Sequence, residues 1–236
     1  MKKFYAFLAV AVLISSCAGL PPQNDDFSPG IPENPVELPP EIAPLPPEFP
    51  ELPESAWHIM GQGTVPAEKL AAFLLQINNQ IDEDFVFSLA GYYIEEAAAE
   101  GVNHDTAFAQ MCLETGFLRF GGLVTPDMNN FCGLGAIGPE EPGLFFPDPR
   151  TGVRAQIQHL QAYAGDGPLN QELVDPRYRY VKRGSAPTVH GLAGTWATDR
   201  AYDEKIIRIL KNIYEFSITF PLAMGEVESG AGAEDQ

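Results

Sequence analysis

The chain has 236 residues, with 22 Gly, 22 Pro and a formal charge of −18 from 32 acids against 14 bases. Residues 21–54 hold 12 of the prolines and eight acids without a Lys or Arg, and residues 225–236 add four acids, so residues 55–224 carry 20 acids and 12 bases. That leaves room for one domain with an ordinary core, rules out a second large one, and argues against a nucleic-acid binder, since no basic stretch can follow a phosphate backbone.

Residues 1–16 read as an export signal. Lys2 and Lys3 precede an apolar run from Phe4 to Ile14, too short to span a bilayer as a mature helix. The ending Leu13-Ile14-Ser15-Ser16-Cys17 resembles the lipobox of bacterial lipoproteins, with Ser15 as its departure. Such a site acylates Cys17 and holds the protein on a lipid bilayer; ordinary secretion with a free Cys17 is the alternative. Ala18, rather than an acid, after the cysteine favours the outer membrane where the host has one. Residues 17–54 then form a Pro/Glu-rich spacer. Each Pro removes a backbone donor and forces extended neighbours, so this segment is expected to be disordered and to favour polyproline II, reaching roughly 100 Å when extended. A Pro-rich ligand for a recognition domain is the competing reading. The small and acidic residues 225–236 are expected to be a disordered tail.

Residues 55–224 show helical periodicity. Pro66 suits a first turn, followed by Leu70, Phe73, Leu74 and Ile77 at i, i+3, i+4, i+7. Asp84 is the expected cap of a second helix carrying Leu89, Tyr93, Ile94, Ala97 and Ala98 and stopping at Gly101. A third helix starts near Asn103 or Asp105, buries Phe108, Met111, Cys112 and Thr115, and stops at Gly116. Val153, Ile157, Leu160 and Ala164 mark a fourth, ending at Gly165; Ile206, Ile207, Leu210, Ile213 and Tyr214 mark the last. Between Gly121 and Pro149 the period vanishes, and only residues 131–137 allow a short strand. The expected class is mainly α (α+β), with one irregular lobe.

Within that lobe Gly133-Leu-Gly-Ala-Ile-Gly138 matches a dinucleotide fingerprint, but Pro139-Glu-Glu-Pro-Gly143 follows where a long helix must begin. No nicotinamide or flavin site is expected. His58, His104, His159 and His190 form no i, i+4 pair and no Cys-x-x-Cys is present, so no metal or organic cofactor is implied. His159 reads as a hydrogen-bonded structural residue. Cys112 and Cys132 either pair as a disulfide, worth ~3 kcal/mol by closing a loop of about 20 residues, or stand as buried thiols. The serines lack a nucleophile-elbow setting.

Glu114 is a lone acid in the apolar run Phe108-Ala-Gln-Met-Cys-Leu-Glu-Thr-Gly-Phe117, at a helix end. Burial and the negative helix terminus both disfavour its anion, which suits a general acid in glycoside cleavage. On spacing alone, a surface Glu near a helix end is the favoured reading.

Four segments settle more than spacing does. Gln110-Met-Cys-Leu-Glu-Thr-Gly-Phe117, Asn129-Asn-Phe-Cys-Gly-Leu-Gly-Ala136, Gly152-Val-Arg-Ala-Gln-Ile-Gln-His-Leu160 and Gly194-Thr-Trp-Ala-Thr-Asp-Arg-Ala-Tyr202 resemble successive motifs of bacterial peptidoglycan endo-β-N-acetylglucosaminidases, the catalytic domains of autolysins and of the flagellar wall hydrolase. The resemblance runs from about Trp57 to Phe216. It implies a lysozyme-like helical domain with a small loop-rich lobe, and Glu114 as general acid. It further implies Gln110, Asn130 and Phe131 as substrate-binding residues, and Tyr202 as a group that orients the sugar's acetamido, with a structural role as the alternative. Trp196 reads as a packing residue in the core.

The second catalytic group is open. Glu140, Glu141 and Asp148 are the candidate acids, and acetamido assistance with Glu141 as helper is the favoured reading. Arg177, Arg179, Lys182 and Arg183 either meet wall-peptide carboxylates or balance a local acidic face. The whole then reads as a lipid-anchored hydrolase of peptidoglycan glycan strands cutting β-1,4 bonds after N-acetylglucosamine. A muramidase or lytic transglycosylase, and a non-catalytic wall-binding lipoprotein, are the alternatives.

Overall fold

The structure is a computed structural model that describes Leu52 and residues 54–220. Cys17, the export signal, the spacer apart from Leu52 and Glu54, and the acidic tail lie outside the described residues. Five α-helices carry the domain: α1 (Ala67–Ile77), α2 (Glu83–Glu100), α3 (His104–Glu114), α4 (Pro149–Ala164) and α5 (Tyr202–Thr219). Helix α2 packs against α1 and α4, and α3 lies against α5. Their shared core includes Leu70, Leu74, Leu89, Phe108, Met111, Ile157, Leu160, Ile206 and Leu210, all excluded from solvent. Only isolated bridges represent β-structure among the described residues.

Local chemistry explains most helix ends. Pro66 precedes α1 with a φ of −69° and lacks the donor a first turn leaves unused. The cap of α2 is Asp82, not Asp84: the Asp82 side chain accepts from the Phe85 amide at 2.8 Å, placing Asp84 in the first turn, where its charge meets the positive helix end. Ala98 faces solvent rather than the core, and Ile94 is half-buried. Gly101 closes α2 in the left-handed region at φ 71°. Asn103 caps α3 by accepting from the Asp105 and Thr106 amides at 3.0 and 3.4 Å. Asp148, a candidate second acid by sequence, instead caps α4, accepting from the Thr151 amide at 2.9 Å.

Two segments shape the irregular lobe. After Thr115 the chain turns left-handed, with φ of 59° at Gly116, 58° at Phe117, 60° at Leu118 and 50° at Phe120. Such angles cost roughly 1–2 kcal/mol per L-residue. The burial of Phe117 and Leu118 and three bonds offset that cost: Phe117 N to Cys112 O, Leu118 N to Thr115 Oγ1 and Phe120 N to Thr115 O. The short strand expected over 131–137 is a series of turns. Asn130 Oδ1 accepts from Leu134 N at 2.9 Å while its Nδ2 donates to Leu134 O, and Gly133 and Gly135 take φ of 70° and 75°, which prevents an extended run.

The lobe and the helices meet at Gly152. A Cβ there would lie 1.8 Å from the carbonyl oxygen of Asn129. Gly152→Ala is therefore expected to destabilise the domain by about 3 kcal/mol, at the upper end of overpacking effects, read as a lowered denaturant midpoint with an unchanged m-value.

Candidate active site

Glu114 is the last residue of α3 and lines a small, open recess. The other walls are Thr115, the segment from Phe120 to Val124, Asn130 and Gly133. The left-handed turn after α3 thus carries the chain from the acid into the facing wall. Among the described residues lining the recess, Glu114 is the sole acid.

Its carboxyl is held on one oxygen. Trp196 Nε1 donates to Glu114 Oε1 at 3.1 Å, and the Tyr202 hydroxyl donates to the same oxygen. Burial pushes the Glu114 pKa up to about 7, and the two donated hydrogen bonds act in the opposite sense without overcoming it. A carboxyl group balanced there is partly protonated at neutral pH, as a general acid requires. Tyr202 is fully buried, and burial beside Glu114 raises its own pKa well above the ordinary phenol value. The phenol therefore remains a donor across the whole working range.

Trp196 is itself clamped. The His159 ring meets it edge-on at 5.0 Å, and His159 Nδ1 contacts Asp175 Oδ2 at 2.7 Å. Tyr163 packs on Trp196 at 5.5 Å and donates to the Thr195 carbonyl. These rings fix the direction of the indole N–H.

Several residues expected to touch sugar do otherwise. Gln110 has no exposed surface, and its Nε2 donates to the Tyr202 hydroxyl at 3.0 Å. Asn130 reaches the recess wall, but its amide is committed to Leu134 and to the Leu144 carbonyl, so it shapes the loop. Phe131 is 1% exposed and packs in the core, leaving no face for a sugar ring. Tyr202 meets the acid rather than open space, which makes it a positioning residue. Glu140 and Glu141 stand exposed, and Glu141 closes a tight turn through backbone bonds with Gly138; neither lines the recess.

Cys112 and Cys132 are both free and fully buried, so the disulfide reading is corrected. Burial raises both thiols above their usual range and keeps them protonated and unreactive. Arg183 donates to the carbonyls of Gly165 and Gly167 and to Gln161, so it braces a loop. Arg179 bonds the Tyr180 hydroxyl. Among the described residues no cluster of His, Cys, Asp and Glu is arranged to hold a metal ion.

A carboxyl raised from 4.5 to about 7 favours folding fully below the unfolded pKa, and that contribution is lost as pH rises through the folded one. Glu114→Gln, which stays neutral throughout, is thus expected to be more stable than the parent above pH 7 by on the order of 2 kcal/mol. Thermal melts across pH should show the gap closing between about 7 and 4.5 as pH falls.

The family model described as Glucosaminidase, mannosyl-glycoprotein endo-beta-N-acetylglucosaminidase, matches residues 90–215. That span holds Glu114, Trp196 and Tyr202. A Borreliella burgdorferi protein, described as an uncharacterized protein, is 42% identical over 159 residues, which cover 67% of this chain and 78% of the relative. With a lysozyme-like helical domain and an acid of raised pKa in a recess, the chain belongs to the glucosaminidase family: it is a glycoside hydrolase of the endo-β-N-acetylglucosaminidase type, and its domain supports a role in peptidoglycan hydrolysis.

Proposed function

We propose that the enzyme cuts the β-1,4 bond after N-acetylglucosamine in peptidoglycan glycan strands, with Glu114 as the general acid. The observation that carries this reading is the Glu114 carboxyl on the recess wall with a pKa of about 7, within a glucosaminidase domain. In the first step the C1–O bond breaks, its electron pair stays on the leaving oxygen, and that oxygen takes the Glu114 proton. In this reading the substrate's own acetamido oxygen is the nucleophile at C1. The Glu114 carboxylate then removes a proton from the water that opens the resulting ring, which restores the acid.

Full-length protein incubated with purified wall glycan should release fragments with reducing N-acetylglucosamine ends. Glu114→Gln should lower that rate by about 10²–10⁴-fold while folding normally. Anhydro ends would indicate a lytic transglycosylase, reducing muramic acid ends a muramidase, and wall binding without fragments a non-catalytic lipoprotein; each outcome overturns the proposal.

The enzyme works, in this reading, from a lipid anchor at Cys17 facing the wall, on the outer membrane in a host with two. The basic start, the apolar run and the Leu13–Cys17 ending support the anchor, and the Pro-rich residues 21–54 support a spacer that lets the domain reach its polymer. Cells fed labelled palmitate should label the parent protein but not Cys17→Ser, and the variant should leave the membrane fraction. A parent protein without label would remove the anchor from this account.

A further inference from the structure

The acid is one end of a hydrogen-bond chain that crosses the core from α2 to α5. Tyr93, Gln156, Gln110 and Tyr202 are its links, and each is 0% exposed. No link touches the recess except through Glu114, so a sugar-binding role does not account for them.

The direction of the chain follows from one group that has no proton to give. Gln156 Nε2 lies 3.1 Å from the Ala107 carbonyl oxygen, which can only accept. The amide nitrogen of Gln156 therefore faces Ala107, and its second N–H reaches Gln110 Oε1 at 2.8 Å. Gln156 Oε1 is left to accept from the Tyr93 hydroxyl at 2.6 Å. With Gln110 Oε1 accepting, Gln110 must turn its own nitrogen to the Tyr202 oxygen. The phenol has a single proton, and with its oxygen accepting from Gln110 that proton goes to Glu114 Oε1. Trp196 Nε1, a donor only, meets the same oxygen. Both lone pairs of Oε1 are then occupied.

We propose that Gln110 and Gln156 are positioning residues that orient this chain, so that Glu114 Oε1 receives both donors and the transferable proton resides on Oε2. The proposal rests on the reading of Glu114 as general acid and adds to it which oxygen acts. Among the described residues no donor meets Oε2, which is therefore the oxygen free to present a proton to a glycosidic oxygen in the recess. The chain also fixes the sense of the pH response. Each hydrogen bond to Oε1 favours the carboxylate, so weakening the chain raises the Glu114 pKa and keeps the acid form to higher pH.

The titratable groups around this chain are few. Tyr202 faces the acid from α5 and Cys132 from the loop lobe, while Tyr93 on α2 lies near Cys132 and Cys112. Burial raises all four, which keeps them neutral at working pH. Behind Trp196 lie His159 on α4 and Asp175, which bond each other. Movement of the activity limb near pH 7 therefore reports Glu114, and the contact between His159 and Asp175 is untouched by substitutions at 110 and 156.

Two readouts test the assignment on the full chain. The first is the basic limb of kcat/KM against pH, where activity falls as Glu114 ionises. Tyr202→Phe removes a donor outright, and Gln110→Met and Gln156→Met weaken or misdirect it. All three should move the limb upward, by roughly half a pH unit or more. The second is the carboxylic C=O infrared band that disappears in Glu114→Gln. In the parent it should lie at low frequency, as expected of a carbonyl oxygen accepting two hydrogen bonds, and both Met variants should raise it. Limb and band unchanged in both folded Met variants would overturn the proposal. So would a parent band at the frequency of a free carboxyl, a result that needs no variant. If Glu114→Gln keeps full activity, the general-acid reading fails separately, since the infrared result concerns only the hydrogen bonding of Oε1.

Discussion

The chemistry proposed for this protein turns on one oxygen of one carboxyl. Glu114 Oε1 is gripped by an indole N–H and a phenol O–H that arrive from a loop and from α5, about 80 residues further along the chain. The side chain is placed in a setting that opposes its charge, and the two donors temper that opposition without cancelling it. A carboxyl in water would be ionised at neutral pH and have no proton to give. A carboxyl buried without donors would hold its proton too tightly to release it.

The surrounding fold maintains that balance. Helix α3 has little amphipathic character, because most of its residues are buried on every side, Asp105, Thr106 and Gln110 included. Such a helix cannot rotate to hide or reveal its acid. Asp105 is held by the Thr64 and Val65 amides and by the Tyr214 hydroxyl, which pins the start of the helix as the polar chain through Gln110 pins its end. Across the core, Glu96 binds Arg150 and Arg154, tying α2 to α4 and so fixing the distance between Tyr93 and Gln156. The carboxylate of Glu96 is buried while both arginines reach solvent, so the cations keep part of their hydration and the contact costs less than a fully buried pair.

The recess depends on local strain of a different kind. Placing Phe117, Leu118 and Phe120 at positive φ bends the chain out of α3 in the least space available to L-residues. The next segment then returns as the opposite wall. Asn130 holds the other side by bonding three backbone groups of the lobe. Asn130 thereby sets the shape of the lobe where it faces the recess.

Much of this was written in the linear chain. Apolar spacing marks all five helices, because a helix must bury one stripe whatever its neighbours are, and Gly101, Asn103 and Gly165 punctuate them by backbone chemistry alone. Glu114 stood out as the charged residue in an apolar run, and the four motifs carried the family. The same motifs did not reveal what Gln110, Asn130, Phe131 and Tyr202 do. A residue type states which hydrogen bonds a side chain can make, whereas its partner depends on which elements meet, and these four are turned inward by contacts far away in sequence. Asp82 and Asp84 were equivalent as caps until the turn before α2 chose one. The pairing of Cys112 with Cys132 was likewise undetermined by spacing. The chain thus fixed which residues could serve as acid, donor and scaffold. Only the packing of α3 against α5 and the 189–202 loop decided which of them converge, because a raised pKa is a property of surroundings and not of the residue.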